Sequence, residues 1–98
     1  MDAVKVETII LDAMRTANLA RDRSEQLDVS PTAVIFGPGS PLDSLGLVGL
    51  LIDIEDGLRT EGVEVTLSDD RAMSQQRSPF RSVPRLAVYI ATLLESPQ

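Results

Sequence analysis

The stretch SPLDSLGLVGLLIDIE, residues 40–55, sets Asp43 and Ser44 against an aliphatic run that contains Gly46 and Gly49. A serine hydroxyl becomes a nucleophile only when a neighbouring group takes its proton. The 98-residue chain has no histidine and no cysteine, and its one lysine is Lys5. The commonest general base near neutral pH is therefore absent, as are a thiolate nucleophile and sulfur ligands for zinc. Carboxylate pairs occur, but no pattern frames them as an acid and a base. The chain reads as a non-enzyme with no metal site. Two roles stay open for Ser44: a helix N-cap, which serine fills well, or the point at which another enzyme attaches a group.

Helices have to position these residues. Val6, Ile10, Ala13, Ala17 and Ala20, widened by Ile9 and Met14, recur at helical spacing and predict a first helix over 3–26. Residues 27–43, LDVSPTAVIFGPGSPLD, hold three prolines and two glycines. They predict a loop, with Val34, Ile35 and Phe36 pinned onto the core. Gly37-Pro38-Gly39 lacks the Gly-Lys-Ser/Thr ending of a phosphate-cradling loop and reads as a turn. A second helix follows over 44–60. Leu47, Leu51, Ile54 and Leu58 form its buried stripe, joined by Val48 and Leu50, and Gly62 suits its C-terminal cap. VEVTL, residues 63–67, reads as an extended connector that buries Val63, Val65 and Leu67. Ser68, Asp69 and Asp70 open a short helix over 69–75. Ser82 opens the last helix, over 82–95, with Pro84 in its first turn and Leu86, Ile90 and Leu93 on its apolar face. The sum is one all-α domain, 1–98. It is a small helical bundle of three longer helices plus one short helix, with a long loop between helices one and two.

Charge narrows the partners. The net charge is −6. From residue 43 to 70, Asp43, Asp53, Glu55, Asp56, Glu61, Glu64, Asp69 and Asp70 stand against Arg59 alone. Arg71, Arg77, Arg81 and Arg85 then follow with no acid among them. Such a chain suits basic protein partners better than phosphate backbones, and the arginines read as a solvated or internally paired surface. No apolar run is long enough to span a bilayer, and the N-terminus lacks a signal layout. The expectation is a cytoplasmic monomer that binds no nucleic acid and does not insert into membranes.

The face of the second helix opposite its buried stripe holds Gly46, Gly49, Asp53 and Asp56, smooth beside the serine and acidic farther on. Each interior glycine costs a helix about 0.5–1 kcal/mol relative to alanine. Either a partner approaches the backbone here, or another helix of the domain packs tightly against it.

Asp43-Ser44-Leu45 at a helix start, followed by Gly62-Val63-Glu64-Val65 and then Ser68-Asp69-Asp70, resembles the acyl carrier proteins. The resemblance runs over essentially the whole chain. It implies that Ser44 is esterified by 4′-phosphopantetheine, taken from coenzyme A by a phosphopantetheinyl transferase that brings the base and magnesium. The phosphodiester would sit in the positive potential of a helix start. Asp43 would orient the transferase, and Leu45 and Leu47 would anchor the first turn inward. The arm's thiol would hold an acyl or aminoacyl cargo as a thioester. Acyl-loading and acyl-transfer enzymes would dock on Gly46, Gly49, Asp53, Glu55 and Asp56. Fatty-acid carriers of the family often show acids where Gly46 and Gly49 stand. RAMSQ and RSPFRSV look similar to small carriers of surface-polysaccharide or secondary-metabolite gene groups. These departures imply a specialised, stand-alone carrier serving a dedicated pathway. The alternative is a non-catalytic helical interaction module with no prosthetic group, binding a basic partner through the same acidic face.

Overall fold

Aliphatic stripes from three helices meet in the computed structural model, which describes residues 3–37, 40–67 and 81–95. Helix α1 spans Ala3–Asn18 and buries Val6, Ile9, Ile10, Ala13 and Met14. Helix α2 spans Ser44–Thr60 and buries Leu47, Leu50, Leu51, Ile54 and Leu58. Helix α3 spans Val83–Glu95 and contributes Val83, Leu86 and Ile90. α1 packs against both of the others. Lys5 pairs with Glu61 at 3.4 Å and Ile9 meets Gly57, so α1 and α2 run antiparallel. The fold is a small all-α bundle. No helix among the described residues is long and apolar enough to cross a membrane.

The first helix stops at Asn18, not at residue 26. Leu19, Ala20 and Arg21 donate to the carbonyls of Thr16, Ala17 and Asn18, a tightening to i→i−3 bonds that marks a helix end. The apolar stripe also runs out, for Leu19 is 87% exposed. Asn18 then ties down the returning chain: its amide oxygen accepts from Leu27 N–H at 2.7 Å and its Nδ2 donates to Leu27 O at 3.0 Å. That turns Leu27 into the core. Between them lies a single 3-10 turn, Arg23–Glu25. The short helix expected over 69–75 lies outside the described residues.

The loop between α1 and α2 is stitched to the start of α3. Ile35 N–H donates to Arg81 O at 2.8 Å and Val83 N–H donates to Ala33 O at 3.0 Å, around an isolated antiparallel bridge of Val34 with Ser82. Alternation along this extended piece sends Ala33 and Ile35 inward. Val34 therefore points outward, a correction to its expected place on the core; Phe36 is partly buried against it.

Both ends of α2 are closed by the chain itself. At the C-terminus Gly62 adopts φ 83°, which a residue with a Cβ rarely tolerates. Gly62 N–H donates to Arg59 O and Val63 N–H to Leu58 O, the Schellman pattern. Val63, Val65 and Leu67 then run extended along the core, Leu67 fully buried. Ahead of α3, Ser82 O accepts from Leu86 N–H at 2.9 Å, and Pro84 sits in the first turn where no N–H is needed.

Candidate functional site

The N-terminus of α2 separates the two residues that could have shared one role. Asp43 is the N-cap: its backbone is extended and its carboxylate accepts from Gly46 N–H at 2.7 Å. Ser44 is the first residue of the helix itself. The cap bond that would have explained Ser44 is made by its neighbour. A carboxylate at this position also meets the positive end of the helix dipole favourably.

Leu45 does not anchor the first turn. It is 81% exposed, whereas Leu47 is fully buried. Successive helix residues are turned by about 100°, so a residue two places from the buried Leu47 faces nearly the opposite way. Val48 is half-buried and Ile52 is 45% exposed. Residues 45, 48 and 52 fall on one flank by their three-and-four spacing. This second apolar stripe is out of phase with the buried one, and the sequence reading missed it by assigning Val48 to the core stripe and Leu45 to the interior. The signal was present as two interleaved helical periods in one short helix.

The two glycines next to the serine have different surroundings. A Cβ at Gly46 would lie 2.8 Å from Leu42 Cδ1 and 3.1 Å from Asp43 Oδ1. Its smallness thus serves the buried Leu42 and the cap rather than a neighbouring helix. A Cβ at Gly49 would meet no heavy atom within 4 Å, and the residue is exposed. Packing inside the domain accounts for neither as a helix–helix contact. The close helix–helix approach is at Gly57, where a Cβ would lie 2.8 Å from Ile9 Cγ2.

The acids of α2 do not form one face. Asp53 is exposed and lines a shallow groove of about 360 Å³ between α1 and α2, with Asp12, Thr16, Gly57 and Glu61 among its neighbours. Asp56 is exposed and paired with Arg59 at 2.7 Å. Glu55 is half-buried on the other side, and its carboxylate accepts from Leu67 N–H, tying the connector to the helix. Asp53 and Asp56 share the open side of α2; Glu55 is turned away from Asp53.

The outcome is a helix start capped by Asp43 with serine as its first helical residue, an exposed apolar flank that begins next to that serine, and two exposed acids farther along. No protein-family model matches the chain, and no curated protein or solved structure matches it either.

Proposed function

We propose that the chain is an acyl carrier protein in which Ser44 bears 4′-phosphopantetheine and partner enzymes dock on the open face of α2. The observation that carries this reading is the division of labour at the helix start. Asp43 supplies the cap bond to Gly46, so the serine that follows it is not needed for capping. A serine in a chain with no histidine suits modification by an outside enzyme, here a phosphopantetheinyl transferase. The surroundings suit such an arm. Asp43 and Leu45, on either side of Ser44, are exposed, and the space above Gly49 is open. When bound, the group supplies a thiol that holds an acyl or aminoacyl cargo as a thioester, the sulfur chemistry this cysteine-free chain lacks.

Docking follows from the same face. Leu45, Val48 and Ile52 offer apolar contact beside the attachment point, and Asp53 and Asp56 offer charge to cationic residues of acyl-loading and acyl-transfer enzymes. Exposed charges of this kind chiefly accelerate encounter and fix orientation, and salt screens them. The carrier acts in the cytoplasm as a monomer, in a dedicated pathway. Gly46 and Gly49, where acids would otherwise stand, leave the first part of this face uncharged.

Intact mass spectrometry after incubation with coenzyme A, magnesium and a transferase tests the reading. The expected result is a phosphopantetheine-sized gain in the wild-type chain that Ser44→Ala abolishes. A wild-type chain that stays bare under conditions where a control carrier is loaded would leave the interaction-module reading, with α2 binding a basic partner and no prosthetic group.

A further inference from the structure

The segment leading into Ser44 is held from across the loop by the guanidinium of Arg21. Leu42 is buried beneath Gly46, and Ser40 is tied locally: its hydroxyl donates to Ile35 O at 2.6 Å and accepts from Leu42 N–H at 3.2 Å. Pro41, between them, has no N–H, so its carbonyl is the one backbone group by which its position can be held. Arg21 reaches that carbonyl from 20 residues earlier in the chain, Nη2 donating to Pro41 O at 3.1 Å. The same guanidinium donates from Nε to Glu25 O at 2.6 Å. Its donors form a rigid planar fork, so the two bonds together set both the distance and the direction between the 3-10 turn and Pro41. Arg21 is itself half-buried and lies just past the point where Asn18 ends α1.

We infer that Arg21 is a positioning residue for the Asp43-Ser44 site. It holds the Pro41 carbonyl, and through Pro41 and the buried Leu42 it keeps Asp43 where it caps α2 and presents Ser44. The link to modification rests on the carrier reading; the clamp on the cap does not. Releasing Pro41 leaves the aliphatic core intact but lowers the fraction of chains whose helix start is correctly set. An enzyme that recognises only that fraction shows an apparent affinity reduced in proportion, while turnover at saturation is kept. A residue that merely stabilised the fold would lower the melting temperature without moving KM.

The experiment compares the full-length wild type with Arg21→Met, which keeps a stem but no donors, and Arg21→Lys, which keeps the charge but loses the fork. Two readouts are taken on chains shown to be folded by circular dichroism: transferase kinetics with the chain as varied substrate, and amide hydrogen exchange at Gly46 with no transferase present. For Arg21→Met the expected results are a KM raised about fivefold with kcat nearly unchanged, and faster exchange at Gly46, with Arg21→Lys between the two. KM and Gly46 exchange both equal to wild type in Arg21→Met would overturn the inference while leaving the carrier reading intact. If the wild type accepts no group at all, the carrier reading falls and Gly46 exchange alone decides: faster in Arg21→Met upholds the clamp, unchanged overturns it. Should Arg21→Met not fold, Arg21→Lys is judged by the same measurements and the same criterion.

Discussion

Gly49 and Gly57 lie on the same helix, and their reasons for being glycine are opposite. Gly57 faces α1, and Ile9 fills the space where its side chain would be. Ile9 is buried and β-branched, so it has little freedom to move aside in a helix. Gly49 faces solvent with nothing near it. One glycine lets two helices of this domain approach; the other leaves backbone open beside a proposed attachment point. Identical local cost therefore reports two different things, and only the surroundings tell them apart. An unexplained glycine is a clue to function only where the fold has no use for its smallness.

The comparison breaks most visibly at Gly57. Gly57→Ala gains helix propensity but drives a Cβ into Ile9, and overpacking outweighs the gain. A net loss of about 1 kcal/mol, or roughly 4–8 °C in melting temperature, is expected by calorimetry. In an Ile9→Ala background the obstruction is gone, so the same substitution should become neutral or stabilising; an unchanged penalty there would refute the contact argument. Gly49→Ala comes next, with the opposite sign: about 0.5–1 kcal/mol of added stability, since nothing opposes the helix preference. A destabilised Gly49→Ala would mean that the space above the residue is not open. The smallest effect on folding belongs to Leu45→Ser, within about 0.5 kcal/mol of wild type because the side chain is already in water. Its loading by the transferase should nevertheless fall about tenfold in kcat/KM, by loss of apolar contact. Equal loading would remove Leu45 from the docking face.

Much of the fold was legible because its signals are local. The stripe Leu47, Leu51, Ile54, Leu58 marks α2 by period alone, and Gly62 after it marks the stop. Both were found where the pattern put them. The end of α1 was not legible. Ala20 continued the spacing to the eye, yet alanine is small enough to be tolerated on either side of a helix boundary. The side chain that ends the helix, Asn18, acts through a partner nine residues away, Leu27. Val34 was misplaced for a related reason. Its apolar character matched its neighbours, and only pairing with Ser82 decided which residues of that run faced inward.

The candidate site divides along the same line. Asp43-Ser44 at a helix start could be read directly, but which of the two makes the cap bond was decided only in the folded chain, because both residue types are good caps. The acids of α2 looked like one face by proximity in sequence. Glu55 in fact serves the connector through Leu67, while Asp53 borders α1.

What the sequence determined by itself was the alphabet of the protein: helices, their aliphatic faces, the absence of histidine and cysteine, and the serine at a helix opening. These depend on residue type and on spacings of three or four, which a chain carries without folding. The tertiary structure alone decided direction and partnership. It paired Val34 with Ser82, set Gly57 against Ile9, and brought Arg21 to Pro41. Each of these contacts joins residues that are remote in sequence or depends on what occupies the neighbouring space, and no local period encodes either.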